Sequence, residues 1–207
     1  MIAIYNQNLN DVLMFIVADN KGADLDFERK GNVAKVFRQD NGETVAWNIF
    51  EASKLFEIVG NGQVEISSEE LSQVNSLISE SGFDQVIPED NDPKFVVGEI
   101  VELVPHADSD HLNIAQVKIS EDETVQIVAG APNARVGLKT IVALPGAIMP
   151  NGSLIFDGEL RGVPSSGMMS SPRELALPNA PQKRGIIELS SDAVVGEKFD
   201  PAKHWQG

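Results

Sequence analysis

Residues 160–175 read LRGVPSSGMMSSPREL, and no other stretch of the chain packs so many small polar, glycine and methionine residues together. Exposed serines, backbone amides and the flanking Arg161 and Arg173 suit contacts with sugar and phosphate groups. Ser170 or Ser171 could cap a short helix that begins at the following proline, with Glu174 near the positive end of that helix. On composition alone, the two methionines of this stretch would fill a core.

Upstream, residues 106–111 read HADSDH and form the densest polar cluster of the sequence. Two imidazoles and two carboxylates could bind a divalent metal. The spacing matches no compact metal-ligand signature, and a solvated turn whose Asp and Ser side chains bond their own backbone explains the same residues. We expect this turn to be structural, with no metal and no cofactor.

Between these two stretches, residues 127–135 read IVAGAPNAR. Gly and Ala allow close backbone approach at the end of a strand, and Asn133 can satisfy stray backbone groups of a loop. The sequence has no Gly-Lys-Ser or Gly-Lys-Thr, so this is not a phosphate loop of the common type. Composition favours a structural turn here over a binding site.

Around these motifs the sequence alternates short β-branched segments with loops rich in Gly, Pro and Asn. The predicted strands cover residues 95–104, 114–119, 125–128, 140–144 and 186–189. Five strands in roughly 100 residues fit a small closed barrel better than a seven-stranded sandwich. We therefore expect a barrel with little helix in this half of the chain.

The amino-terminal half predicts a different, smaller α+β domain. Strands are expected at residues 2–5, 12–18, 33–37 and 44–47, with a hairpin turn at Asp40-Asn41-Gly42. Helices are expected at 49–59 and from a capping box at Ser67 and Glu70 to Gly82. The acidic, proline-bounded segment 88–93 is typical of a linker, which predicts domains at 1–90 and 91–203. The predicted class is mainly β with α+β.

The composition excludes several kinds of function. The chain has no Cys, so it has no disulfide, thiolate metal site or cysteine nucleophile. It has no Gly-x-Ser-x-Gly elbow and only 3 His, which argues against a serine hydrolase. Its longest apolar run is too short to span a bilayer, and no basic segment followed by an apolar one opens the chain. We expect a cytoplasmic protein that is not an enzyme and does not bind membranes.

The charge of the chain is strongly acidic but unevenly distributed. The formal net charge is −15. Residues 1–92 hold 6 Lys and Arg against 17 Asp and Glu, whereas residues 93–207 hold 10 against 14. Within residues 125–187 the balance reverses to 6 basic against 3 acidic side chains. Acidic proteins approach a polyanion at an electrostatic cost, so nucleic-acid binding would have to use this local basic region.

The three motifs, in this order and spacing, resemble the tRNA-binding OB-fold domain. That domain occurs in stand-alone bacterial tRNA-binding proteins, near the start of the phenylalanyl-tRNA synthetase β chain and at the end of some methionyl-tRNA synthetases. Matching positions are His106, Asp110, Leu112, Ile127, Val128, Gly130, Ala131, Asn133, Arg161, Gly162, Val163, Ser165, Gly167, Met168, Ser171, Glu174 and Leu175. The chain departs from the pattern at Ala107, Ser109, Ala129 and Ser170. With its acidic amino-terminal domain, the whole chain resembles the bacterial YtpR family.

The resemblance implies a five-stranded OB-fold barrel that binds tRNA, or structured RNA generally, without catalysis. Recognition would rest on shape and backbone contacts without anticodon specificity. The expected RNA contacts are Asn133, Arg135, Lys139, Arg161, Ser165, Met168, Ser171 and Arg173. Glu174 would order its loop by holding backbone amides, and His106 and Asp110 would be structural.

The acidic charge keeps a second interpretation open, in which the barrel is a protein-interaction module with little RNA affinity. The single Tyr and two Trp all lie outside the motifs, so an aromatic platform for single strands is not expected. Partners other than tRNA could be an aminoacyl-tRNA synthetase or another translation protein, and the chain could form a homodimer.

Overall fold

The computed structural model describes residues 1–90 and 92–207, which fall into two compact units, Met1–Asn91 and Asp92–Gly207. The predicted linker at 88–93 includes Asn91, which lies outside the described residues. The domain limits at residues 90 and 91 therefore stay a prediction. Among the described residues, no helix is both long enough and apolar enough to cross a membrane.

The first unit is built on one antiparallel sheet of six strands. These are β1 (Ile2–Asn6), β2 (Val12–Ile16), β3 (Leu25–Lys30), β4 (Val33–Arg38), β5 (Thr44–Phe50) and β6 (Gly62–Gln63). Their order across the sheet is β3-β4-β5-β2-β1-β6. The four predicted strands are confirmed within a few residues, and so is the hairpin between β4 and β5. The sequence did not predict β3 and β6.

One helix, α1 (Ser68–Glu80), covers one face of this sheet. Its predicted capping box is present: the Ser67 side chain accepts from the Glu70 amide while the Glu70 carboxylate accepts from the Ser67 amide. The helix buries Leu71, Val74 and Ile78 in a core shared with the sheet. The α+β character of this unit is therefore confirmed.

The prediction of a helix at residues 49–59 is wrong. Ile49 is fully buried in β5, where it pairs with Leu13 and Val33. Glu51 then takes a left-handed backbone conformation, with φ 55°, and only a short 3-10 turn follows at Ala52–Lys54. Asp11 holds the start of that turn, because both of its carboxylate oxygens accept from the Ser53 amide. The apolar spacing at 52–56 reflects packing onto the core in this turn and the loop after it.

β3 forms one edge of the sheet, and the sequence did not predict it because its side chains are charged or exposed almost throughout. Two of its backbone groups are bonded locally. The carboxylate of Asp26 accepts from the Phe27 amide at 2.8 Å, and the Gln39 side-chain amide donates to the Leu25 carbonyl at 3.2 Å. The opposite edge is the two-residue strand β6.

The second unit is the expected five-stranded, near-closed barrel. Its elements are β7 (Phe95–Pro105), β8 (Asn113–Lys118), β9 (Thr124–Ala129), β10 (Lys139–Ala143), β11 (Asp157–Leu160), β12 (Val163–Ser166), β13 (Met168–Met169) and the short helix α2 (Pro201–His204). The sheet order is β13-β10-β7-β8-β9. The hairpin of β11 and β12 lies against β9, which brings the two ends of the sheet together.

The fifth strand is not the one the sequence predicted. Residues 186–189 form no strand; they run beside the barrel with isolated backbone bonds, from the Ile187 amide to Ser170 and from the Leu189 amide to Lys139. The fifth strand is β13, which pairs with β10. The motif 160–175 therefore supplies barrel structure as well as loop, since it contains most of the β11–β12 hairpin and all of β13.

Alternate residues of the long strands pack into two cores. Val96, Ile100 and Val142 point into the barrel, whereas Val97 and Ile141 pack outward against the carboxy-terminal segment. Gly98 lies at a tightly packed point of the barrel interior. A Cβ added there would stand 2.6 Å from Val142 Cγ2 and 2.9 Å from Val117 Cγ1. The two valine side chains fill the space that a side chain at position 98 would occupy.

Candidate functional site

An open cleft of about 410 Å³ lies on the second unit where the three sequence motifs meet. One wall comes from the turn after β9, one from β13 and the turn that follows it, and one from residues 183–186. The apolar part of its lining comprises Leu112, Val128, Ala129, Ala131, Met168, Met169 and Ile186, and the buried members of this group, Leu112, Val128, Met169 and Ile186, form the floor. The loops that carry the motifs are far apart in sequence, and the closing of the barrel brings them together.

Three cationic side chains line this cleft: Arg173, Lys183 and Arg184. All three are exposed. The Arg173 side chain makes no hydrogen bond or ion pair to any described residue, and the Arg184 side chain makes only a long bond, 3.4 Å, to the Gly130 carbonyl. One carboxylate, Glu174, lines the same cleft, so the cations outnumber it three to one. Because the chain as a whole is strongly acidic, this local excess of positive charge marks the cleft as a place where an anion can bind.

Sequence reasoning included Arg173 in the site but missed Lys183 and Arg184. The two residues stand next to each other just before the apolar segment 186–189. Their only signal was the local excess of positive charge in residues 125–187. That excess does not predict which cations share a surface, because Arg184 reaches the turn after β9 only through the folding of the barrel.

The serines of the motif are less accessible than expected. Ser170 and Ser171 are buried and Ser165 is half-buried, which corrects the expectation of exposed hydroxyls. The Ser171 hydroxyl accepts from the Glu174 amide at 3.2 Å, and the Glu174 carboxylate accepts from the Ser171 amide at 2.7 Å. The expected capping pair therefore exists, with Glu174 holding a backbone amide. It orders a turn and not a helix, because Ala176 is left-handed, with φ 51°.

Asn133 holds in place the wall at residues 183–186 and Glu188 just after it. Its side-chain oxygen accepts from the Ile186 amide, and its side-chain nitrogen donates to the Ile186 carbonyl, each at 2.9 Å. Arg135 adds an ion pair to Glu188 at 2.7 Å. The pKa of the Glu188 carboxyl lies below its ordinary value, first because Arg135 donates a hydrogen bond to it and then because Asn133 does. Asn133 and Arg135 therefore stabilise this wall through contacts with Ile186 and Glu188 and do not line the cleft themselves.

Three other predicted contacts are also engaged within the chain. The Ser165 hydroxyl accepts from the Val128 amide at 3.1 Å, which ties β12 to β9. Arg161, left-handed at φ 51°, donates to the Asp108 carbonyl at 2.6 Å. The Lys139 ammonium donates to the carbonyls of Ser191 and Ala193, at 2.6 and 2.8 Å. Of the eight predicted residues, the cleft brings together Met168, Ser171 and Arg173; the other five do not line it.

The turn at 106–111 is bound to the barrel. His106 is 3% exposed; its Nδ1 accepts from the Asp108 amide at 3.0 Å, so Nε2 carries the proton and faces the Leu160 carbonyl at 3.3 Å. Asp110 points into solvent, and its pKa is lowered chiefly by a hydrogen bond from His111. In the described part of the chain, no three His, Cys, Asp or Glu side chains are grouped so that they could hold a metal ion.

Comparison with known families assigns each unit separately. Residues 20–90 match the family described as "Domain of unknown function (DUF4479)". Residues 95–198 match the family described as "Putative tRNA binding domain". The second match covers the barrel from its first strand, together with every residue that lines the cleft.

Individual relatives agree with this assignment. A protein of Bacillus subtilis named "Putative tRNA-binding protein YtpR" is 42% identical over 200 residues, which is 96% of this chain and 99% of that protein. The phenylalanine–tRNA ligase β subunit of Idiomarina loihiensis is 45% identical over 136 residues, 65% of this chain but 17% of the ligase subunit. That of Rhodospirillum rubrum is 50% identical over 103 residues, which is 49% of this chain and 12% of the ligase subunit. The resemblance carried by the three motifs is thus confirmed, and the chain belongs to the family described as "Putative tRNA binding domain".

Proposed function

We propose that the protein binds tRNA, or structured RNA of similar shape, without catalysis and without reading the anticodon. The observation that carries this proposal is the group of three exposed cations, Arg173, Lys183 and Arg184, around one cleft of a chain whose net charge is −15. The family and the name of the Bacillus subtilis relative support the same ligand.

The predicted contact residues take two roles in this proposal. Arg173 pairs with a phosphate, and Met168 presses on a base or sugar. The other six predicted contacts hold the loops that present the surface, and the more exposed of them also reach the edge of the RNA. These six residues are Asn133, Arg135, Lys139, Arg161, Ser165 and Ser171. Phosphate contacts dominate the affinity of such a site, and binding by shape needs no base-specific hydrogen bonds.

The test is a titration of labelled tRNA by fluorescence anisotropy at several salt concentrations. If two to four phosphates are neutralised, log K falls with log salt with a slope of roughly −2 to −4. Arg173→Ala should weaken binding by about 1–2 kcal/mol and make the slope shallower by roughly one. Lys198→Ala is the matched control, since it removes an exposed cation of the same unit outside the cleft.

Absence of tRNA binding even at low salt would defeat this proposal. Equal losses from Arg173→Ala and Lys198→Ala would show that binding is a diffuse charge effect and does not use the cleft.

The acidic charge supports a second candidate, a protein-interaction module on the barrel. An aminoacyl-tRNA synthetase, another translation protein or a second copy of this chain would then occupy the surface. This candidate predicts little RNA affinity and a cleft whose cations pair with carboxylates of the partner. The tRNA titration separates the two candidates directly, and sedimentation velocity tests the homodimer.

A further inference from the structure

The lining of the cleft is not what backbone contact with an RNA duplex requires. A paired helix presents phosphates and ribose hydroxyls to a protein, and these groups call for charged and polar partners. Here the cations stand among apolar side chains, of which Val128, Met169 and Ile186 are less than 10% exposed. An apolar floor beneath a cationic rim matches a ligand that has a flat apolar part attached to an anionic one.

An unpaired nucleotide has this construction, because its base offers two apolar faces and its phosphate carries the charge. The volume of about 410 Å³ lies near the lower end of the range for small-molecule sites, roughly 300–1,000 Å³. Resting on the RNA-binding function above, we propose that the cleft takes one unpaired nucleotide of the RNA. The base lies on the floor against Met168, and the phosphate lies at the rim between Arg173 and the pair Lys183 and Arg184.

Glu174 determines the orientation of such a nucleotide in the cleft. Its Oε2 accepts from the Ser171 amide at 2.7 Å, which holds the carboxylate in place, and its other oxygen has no hydrogen-bond partner among the described residues. A carboxylate repels phosphate, so the phosphate lies away from Glu174. The free oxygen is then available to accept from an amino group of the base or from the ribose 2′-hydroxyl.

The experiment compares three hairpin RNAs and tRNA by fluorescence anisotropy with the full chain at one low salt concentration. One hairpin is fully paired, the second carries a single bulged nucleotide, and the third carries an abasic bulge that keeps the phosphate and the backbone kink. The bulged hairpin should bind about fivefold more tightly than the other two, which is the lower end of the range for stacking one base on an aromatic ring, because the floor of this cleft is aliphatic.

Ala131→Leu places extra apolar volume in the cleft and should remove the preference for the bulged hairpin. Ala107→Leu adds the same volume on an exposed loop outside the cleft and should preserve it. Because the abasic hairpin changes the RNA and not the protein, the comparison stands even where a variant folds poorly.

Equal affinity for all three hairpins, with tRNA still bound, would overturn the nucleotide site but leave RNA binding in place. Equal affinity for the bulged and abasic hairpins would also overturn it, because backbone flexibility and not the base would then be recognised. Failure to bind any of the four RNAs would overturn the proposed function together with this inference.

Discussion

Replacing Asn133 by alanine tests whether the cleft wall is held as the contacts indicate. The substitution removes the acceptor of the Ile186 amide and the donor to the Ile186 carbonyl, both 2.9 Å bonds, together with a third bond to Glu188. Ile186 is buried, so its two backbone groups lose partners that water cannot fully replace. At about 0.5–1.5 kcal/mol for each of the two backbone bonds, the expected loss of stability is about 1–3 kcal/mol.

Two measurements check this expectation on the full chain. Urea denaturation gives the free energy of unfolding, and NMR-detected hydrogen exchange follows the Ile186 amide itself. That amide should exchange faster in Asn133→Ala than in the parent, because its acceptor is gone. Affinity for tRNA should also fall, since the wall that carries Lys183 and Arg184 is no longer fastened.

Asn151→Ala is the control, because it removes a single bond within an exposed turn, from the Ser153 amide. It should cost less than Asn133→Ala and leave exchange at Ile186 unchanged. If Asn133→Ala keeps a stability within about 0.5 kcal/mol of the parent, with unchanged exchange at Ile186, the assignment of Asn133 as the fastening of the wall is refuted.

Three further predictions concern the barrel around the cleft. His106→Ala removes a buried side chain with two hydrogen bonds and should lower the free energy of unfolding by about 1–3 kcal/mol. His111→Ala, which removes an exposed side chain, should leave it unchanged. The tRNA affinity of folded His106→Ala should match that of the parent. Gly98→Ala forces a methyl group into the barrel interior and should cost about 1–3 kcal/mol by thermal unfolding, against little for Gly158→Ala, where nothing lies within 4 Å. Because the folded-state pKa of Glu188 is depressed, its contribution is present above the ordinary value of 4.5 and lost as pH falls through the lower folded value. Glu188→Gln should therefore be less stable than the parent at neutral pH, and the difference should shrink below about pH 4.5 in denaturation curves; a constant difference would contradict this.

The barrel was predictable because its core strands are short segments rich in β-branched residues, separated by loops rich in Gly, Pro and Asn. The strands β7 to β10 lie within a few residues of their predicted positions. The segment 186–189 shows the limit of this reasoning. Its apolar residues pack against the barrel, but a pattern of burial does not reveal whether the backbone pairs with a neighbour. β13 has only two residues and no periodicity that could be detected.

The candidate site was only partly predictable, for a related reason. Residue type indicates what a side chain can bond, but not whether a partner inside the chain already occupies it. Lys139 and Ser165 have groups suited to RNA, and both are bonded to the protein backbone. Arg184 shows the converse, because its place beside Gly130 follows from the closure of the barrel and not from its local sequence.

The two side-chain bonds on the edge strand β3 affect how the protein behaves in concentrated solution. An unpaired edge strand is a template on which strands of other chains can add and start aggregation. On β3 the Phe27 amide and the Leu25 carbonyl are already bonded to side chains of the same unit, so neither is free to join a neighbour's sheet. The opposite edge, β6, is too short to offer more than two residues. We therefore expect strand addition to be hindered at Leu25 and Phe27, although both residues expose apolar side chains there.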